Sequence, residues 1–168
     1  MNIISVDPAL STTGYSIITD NEDVVLVNKF TTSSNMIEDD RIYLICEKLL
    51  KVAKDFNAEV IIFEDGFVGN NMKTGLQLST LRGAILGVFM FNDIEAYHML
   101  PTEIRKEFGL KGNVKKEDVA KQISIEFPGV AKTIGPYSDK QNKDKTSDMY
   151  DAVSIGIAFV RKLKRQHD

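Results

Sequence analysis

The amino-acid sequence predicts an α/β fold built on a mixed five-stranded sheet with helices on both faces. Three strand-like segments joined by short turns fill the first thirty residues, which predicts an antiparallel meander. A compact apolar run at residues 59–63 lacks alternation, as expected of a central strand covered on both faces. Helical segments separate and follow the later strands, so these strands are predicted to run parallel.

The first hairpin combines an apolar strand with an acidic end. Residues 3–6 form an apolar run that ends at Asp7, and Pro8 has no N–H to donate to a sheet, so the strand should stop there. A turn of small residues follows, with Gly14 near its end. Residues 15–18 are predicted to pair antiparallel with the first strand, and residues 24–30 to form the third.

The remaining elements are predicted from periodicity, apolar runs and proline positions. Helices are expected at residues 37–56, 74–91, 101–108, 115–127 and 148–163, and strands at residues 59–63 and 94–99. Residues 128–145 are rich in Gly, Pro, Lys and Asp and are predicted to be a loop. Gly75, Gly83 and Gly87 in the second helix are expected to allow close approach to a neighbour.

Composition favours a single cytoplasmic domain over residues 1–168. The 168 residues are 43% hydrophobic, enough for a sizeable core. The single cysteine, Cys46, lies in a helical apolar stripe and cannot form an internal disulfide, which favours a core position and a reducing compartment. No apolar run approaches a membrane span, and no basic region precedes an apolar one at the N-terminus, so no membrane partner is expected.

Charge is unevenly distributed along the chain. The net charge of −3 at first disfavours a nucleic-acid partner. Residues 1–100, however, hold 7 basic and 14 acidic side chains (net −7), and residues 101–168 hold 14 basic and 10 acidic ones (net +4). This asymmetry is compatible with a basic surface that meets phosphates, and equally with ordinary solvated helices.

Two acids end two apolar strands. Asp7 follows the first strand and Glu64 follows the run at 59–63, with Asp65 beside it. Each acid alone is explained by local turn hydrogen bonds. In open α/β sheets, however, sites form outside the carboxyl ends of central strands, so Asp7 and Glu64 are predicted to meet there.

Two further acids lie three residues apart at the start of the final helix. Asp148 and Asp151 therefore share a helix face, beside the stripe predicted to pack inward. The helix dipole offers an alternative explanation, but it contributes only about 0.3–1 kcal/mol. Four converging carboxylates suit Mg²⁺ or Mn²⁺, and two such ions about 3.5–4 Å apart are a usual apparatus for phosphodiester cleavage. His98 and His167 are the only histidines, and neither completes a Ser/His/Asp arrangement.

The sequence resembles the RuvC family of Holliday-junction resolvases, which have the ribonuclease H-like fold. The resemblance lies in four segments, in the expected order: ISVDPALSTTGY at 4–15, IFEDGF at 62–67, LQLSTLRG at 76–83 and DMYDAVSIGIA at 148–158. They span nearly the whole chain. The departures are Ala9 in place of the common glycine, a long segment at 129–146 and an acidic overall charge, which fit a diverged, phage-type member.

The resemblance implies functional residues. Asp7, Glu64, Asp148 and Asp151 fall on the family's catalytic, metal-binding tetrad. Phe67 falls on an aromatic residue that stacks into the opened junction, where a base contact contributes about 1–3 kcal/mol. Further DNA-binding candidates are basic residues that a solvated surface would equally explain: Arg105, Lys106, Lys111, Lys115 and Lys116.

We therefore predict a Mg²⁺-dependent endonuclease that resolves four-way junctions or related branched DNA, with Mn²⁺ as a substitute metal. Symmetric nicks need a homodimer, and the helix at 74–91 is the candidate interface. No small-molecule cofactor is expected, and the compartment is the cytoplasm of a bacterium or phage-infected host. The alternatives are a ribonuclease H-like nuclease acting on flaps, forks or RNA, an actin-like ATP-binding domain, and a non-catalytic junction-binding protein.

Overall fold

The protein is described here by a computed structural model covering residues 1–65, 72–139 and 145–167. Within these residues five strands form one sheet in the order β3-β2-β1-β4-β5. The strands are β1 (Asn2–Asp7), β2 (Thr12–Thr19), β3 (Val24–Thr31), β4 (Ala58–Glu64) and β5 (Glu95–Met99). β1, β2 and β3 pair antiparallel, whereas β4 runs parallel to both β1 and β5. This confirms the predicted sheet.

Helices cover both faces of the sheet. They are α1 (Glu38–Asp55), α2 (Met72–Phe91), α3 (Pro101–Glu107), α4 (Lys116–Glu126), α5 (Pro128–Ile134) and α6 (Ser147–His167). Because side chains alternate along a strand, Ile4 of β1 joins the core formed with α1 and α2, while Ile3 joins the core formed with α3, α4 and α6. Cys46 is buried in the α1–α2 core, as predicted.

α6 lies directly on β1 and β2. A Cβ added at Gly156 would lie 2.4 Å from Cδ1 of Ile18 and 2.6 Å from Oγ of Ser5. Real Cβ atoms essentially never come so close to other heavy atoms, so a larger residue here would have to displace the side chains of Ile18 and Ser5. This close approach sets the height of α6 above the centre of the sheet.

Two predicted boundaries are wrong. Residues 12–14 were expected in a turn, but they belong to β2, since all three pair antiparallel with β3 and Gly14 also pairs with Asp7 of β1. Residues 128–134 were expected in a loop, but they form α5. Pro128 suits the first position of a helix, where no N–H is needed, and Ile134 anchors this helix in the core.

α2 differs from expectation in two respects. By length and composition alone, its 20 residues are apolar enough to cross a membrane, although no such run was expected. Its buried residues Leu81, Ile85 and Phe89 pack in the core with α1, and 22% of its apolar window is buried. Gly83 and Gly87 have nothing within 4 Å of their Cβ positions, so they make no close approach within the described part of the chain.

Candidate active site

The carboxyl ends of β1 and β4 lie side by side at the centre of the sheet. The parallel pairing sets Val6 opposite Phe63, so Asp7 and Glu64 are the next residues on neighbouring strands. Pro8 cannot extend the ladder, and β1 ends at Asp7 as predicted. The two acids expected at this edge are therefore together.

The first turn of α6 reaches the same edge through Gly14. Gly14 is the antiparallel partner of Asp7. A Cβ at Gly14 would lie 2.0 Å from the carbonyl oxygen of Asp148 and 3.1 Å from its Cβ. Since no side chain fits between β2 and α6 at this point, Asp148 is seated beside Asp7.

The charges of the neighbouring acids act on Asp7 and Asp151. The pKa of Asp7 is raised to about 7, chiefly by burial and then by the charges of Asp151, Glu64 and Asp148, against the lowering effect of Lys116. Burial is also the main cause of the raised pKa of Asp151, to which Glu64 and Asp148 add. The sequence prediction that these four acids converge agrees with this arrangement.

Lys116 supplies positive charge to the carboxylates. It is the first residue of α4, and its Nζ lies 2.7 Å from Oδ2 of Asp151. Desolvation lowers the pKa of the Lys116 ammonium, but the carboxylates of Asp151, Asp7 and Glu64 outweigh it, so the pKa is raised. Among the predicted basic residues, Lys116 forms an ion pair with one of these acids.

A second lysine, Lys145, pairs with Asp148. Its Nζ donates a hydrogen bond of 2.8 Å to Oδ1 of Asp148. The other oxygen, Oδ2, is buried and has no hydrogen-bond partner among the described residues. A buried carboxylate oxygen without a donor is costly, which makes it a candidate ligand for a cation.

The donor set fits a hard divalent cation. Carboxylate oxygens are the ligands that Mg²⁺ and Mn²⁺ prefer, and the unpartnered Oδ2 of Asp148 is available. As the side chains stand, no three His, Cys, Asp or Glu residues in the described ranges are grouped to hold an ion. Lys116 and Lys145 contact the acids instead, so side-chain movement must accompany metal binding.

Asp65, the acid next to Glu64, faces other partners. Its carboxylate lies 4.0 Å from Arg82 Nη1 and 3.9 Å from His98 Nε2. The His98 side chain, on the edge strand β5, is 58% exposed. Of the two adjacent acids, only Glu64 acts on the pKa of Asp7.

The other predicted DNA-binding residues lie on α3 and in the turn that leads to α4. Nη1 of Arg105 donates a hydrogen bond of 2.7 Å to the carbonyl of Gly112 and so braces the α3–α4 turn. Lys106, Lys111 and Lys115 are exposed. Phe67 lies outside the described residues.

Sequence reasoning missed two contributors. Gly14 was assigned to a turn, although its place opposite Asp7 in a two-stranded register could have indicated close packing. Lys145 is absent from the predicted site residues, although its spacing of three residues from Asp148 is that of a side-chain pair.

A mixed sheet with acids at the ends of two parallel central strands and on the covering helix has the architecture of the ribonuclease H-like fold. The model of the crossover junction endodeoxyribonuclease RuvC family matches residues 3–158. The chain belongs to this family.

Relatives and solved structures agree with this assignment. The crossover junction endodeoxyribonuclease RuvC of Prosthecochloris aestuarii is 28% identical over 160 residues, covering 94% of this chain and 80% of the relative. The Thermus thermophilus RuvC structure superposes with a TM-score of 0.76 at 17% identity, covering 99% of this chain and 97% of that one. T. thermophilus RuvC in complex with Holliday junction substrate gives a TM-score of 0.75 at 16% identity, covering 98% of this chain and 96% of that one.

Proposed function

We propose that the chain hydrolyses phosphodiester bonds at Holliday junctions and related branched DNA, with Asp7, Glu64, Asp148 and Asp151 as metal-binding catalytic residues. The observation that carries the proposal is the meeting of acids from β1, β4 and α6 at one edge of the sheet. Family membership supplies the reaction class. The compartment we infer is the cytoplasm of a bacterium or phage-infected host.

The four acids would hold Mg²⁺, or Mn²⁺ in its place. When bound, divalent ions supply an activated water and stabilise the departing 3′ oxygen. The carboxylates fix the position of this charge and offset it. Gly14 keeps the α6 carboxylate against the β1 carboxylate, so that the acids from β1, β4 and α6 face a single scissile phosphate.

Lys116 would change partners when DNA binds. Its ammonium is paired with Asp151 and is partly exposed, at 44% of its side chain. A phosphate entering the site offers the ammonium a new anionic partner, and a cation bound by Asp151 replaces its charge. We assign Lys116 to phosphate binding next to the acids, and Lys106, Lys111 and Lys115 to backbone contacts along the α3–α4 surface.

Two subunits would make the paired nicks. α2 exposes Met72, Leu76, Met90 and Phe91, with exposed fractions from 60% to 93%. Leu76, Gly83, Gly87 and Met90 recur at helical spacing and share one face, and Gly83 and Gly87 open onto empty space. An apolar face of this kind, with room for a close helix approach, supports a symmetric homodimer through α2.

The decisive experiment is cleavage of a labelled four-way junction by the purified protein with Mg²⁺, with Mn²⁺ and with a chelator. Asp7→Asn, Glu64→Gln, Asp148→Asn and Asp151→Asn should each reduce cleavage by about 100-fold or more while sparing junction affinity. Asp65→Asn is the matched control, because Asp65 pairs with Arg82 and His98. Substantial cleavage by Asp7→Asn would refute the metal assignment.

A substrate panel separates the related activities. Four-way junctions, flaps, forks and RNA–DNA hybrids are compared at equal concentration, and preferential cutting of the junction on opposed strands is expected. Binding of junctions without any cutting in Mg²⁺ or Mn²⁺ would indicate a non-catalytic junction-binding protein. Phe67→Ala should slow junction cleavage more than it weakens duplex binding.

A further inference from the structure

We propose that Lys145 is a positioning residue that holds one oxygen of Asp148 so that the other is presented to the divalent cation. The inference rests on the proposed function, since it gives Lys145 a role toward the metal of that site. Nζ of Lys145 donates to Oδ1 of Asp148 at 2.8 Å. The hydrogen bond uses only one of the two carboxylate oxygens, and Oδ2 stays buried without a partner among the described residues.

The pair differs from an ordinary surface ion pair in its burial. The Asp148 side chain is 7% exposed and that of Lys145 is 29% exposed. Exposed pairs three residues apart contribute little and exchange partners freely. Here a deeply buried carboxylate has one donor among the described residues, so removing that donor leaves the rotation of the carboxylate undetermined.

The main chain is held by hydrogen bonds at Lys145 and at the two residues after it. Nζ of Lys29 on β3 donates to the carbonyl oxygen of Lys145. The backbone N–H groups of Thr146 and Ser147 both donate to the carbonyl of Ser138, at 2.9 and 3.0 Å. The lysine therefore reaches Asp148 from a fixed starting point, which lowers the entropic cost of keeping it there.

Asp148 belongs to the cluster that the metal would join. Its charge acts on Asp7 and on Asp151, and its backbone is seated against Gly14. Groups that orient a metal ligand typically change metal affinity or activity by about 10–100-fold when they are removed. Lys145 is the group that orients Asp148.

The opposite role is physically distinct and testable. A lysine so close to a ligand also repels a cation, and if repulsion dominated, removing the positive charge would strengthen metal binding. The two roles separate when charge and hydrogen bonding are removed in turn. Lys145→Gln keeps a donor without the charge, Lys145→Met removes both, and Lys145→Arg keeps both.

The test measures Mn²⁺ binding to the full chain without DNA, using electron paramagnetic resonance to quantify the free Mn²⁺. Thermal melting checks that each variant is folded. Lys145→Met should raise the Mn²⁺ Kd about tenfold, whereas Lys145→Gln and Lys145→Arg stay within about threefold of the wild-type protein. Lys145→Ala replaces Lys145→Met if the latter does not fold. Lys162→Met is the matched control, because it breaks an ion pair of the same 2.8 Å length with Glu103 elsewhere on α6.

Three results would overturn the inference. An unchanged Mn²⁺ Kd in Lys145→Met, with Asp148→Asn still inactive in junction cleavage, would remove the role of Lys145 and leave the proposed function standing. Tighter Mn²⁺ binding by both Lys145→Gln and Lys145→Met would make Lys145 a competing cation. If the wild-type protein neither binds Mn²⁺ nor cuts junctions, the proposed function itself fails, and the role of Lys145 with it.

Discussion

Gly14 on β2 and Asp148 on α6 are in contact so close that a Cβ at position 14 would lie 2.0 Å from the Asp148 carbonyl oxygen. Gly14 is also paired with Asp7 in the β1–β2 ladder, so this glycine contacts both β1 and α6. Asp7 on β1 and Asp148 on α6 meet because residue 14, which lies between β2 and α6, has no side chain beyond a hydrogen atom.

Gly14→Ala should therefore damage both stability and activity. The added methyl group must push the first turn of α6 away from β2, with an expected cost of about 1–3 kcal/mol in the free energy of unfolding and a loss of junction cleavage. Chemical denaturation and a cleavage assay measure the two effects. Gly129→Ala is the control, because nothing lies within 4 Å of the Cβ position of Gly129 in α5. Equal, small effects of both changes would show that α6 adjusts freely.

The sequence predicted the acids because their placement follows simple rules. Asp7 and Glu64 end apolar strands, and Asp148 and Asp151 share a helix face, so their convergence needs only a parallel β1–β4 pair and a helix across them. The predicted loop at 128–145 failed in its first part because Pro128 and Gly129 resemble helix breakers, although proline is favourable at a helix start.

Close packing and side-chain pairing were harder to predict. Whether a glycine serves a turn or a contact depends on what lies above it, and Gly14 is tied to Asp148, which is far away in sequence. Likewise, many lysines follow residue 100, and only the folded arrangement distinguishes Lys116 and Lys145 from the exposed Lys106 and Lys111.

Asp7→Asn should stabilise the metal-free protein in a pH-dependent manner. The pKa of Asp7 is about 7 in the folded state against 3.8 ordinarily, so the folded state binds the proton more tightly. This contribution to stability is complete below pH 3.8 and is lost as the pH rises towards 7. Asparagine does not titrate, so Asp7→Asn does not lose stability over this pH range. Its free energy of unfolding should therefore increase relative to that of the wild-type protein, by about 1–3 kcal/mol above pH 7.

Urea denaturation in a chelator at acidic and at mildly alkaline pH measures this difference, and Asp65→Asn is the control outside the cluster. A difference between Asp7→Asn and the wild-type protein that did not change with pH would mean that Asp7 ionises normally in the folded state.

Lys116→Met should destabilise the metal-free protein, and the stability of this variant should increase strongly when metal is added. The change leaves Asp151, whose side chain is 14% exposed, without its 2.7 Å partner among other acids. We expect a loss of about 1–3 kcal/mol in chelator, much of it restored by saturating Mn²⁺, because the cation replaces the missing positive charge. Thermal melting with and without Mn²⁺ measures both. Lys115→Met, the exposed neighbour, should show neither effect, and similar behaviour of the two variants would contradict the role of Lys116 as the counter-charge.

Leu76→Glu or Met90→Glu should dissociate the proposed homodimer without unfolding the subunit. Both side chains are at least 60% exposed in the single chain, so the substitutions cost little there, whereas a charge buried in an α2–α2 contact is costly. The dimer Kd should rise about tenfold or more, measured by sedimentation equilibrium. On a cruciform plasmid, the variants should give nicked circles in place of linear product, because two coupled cuts need two subunits. Ile125→Glu, at another exposed apolar site, on α4, is the control. If Ile125→Glu dissociated the dimer and the α2 substitutions did not, the interface would be formed by α4 and not by α2.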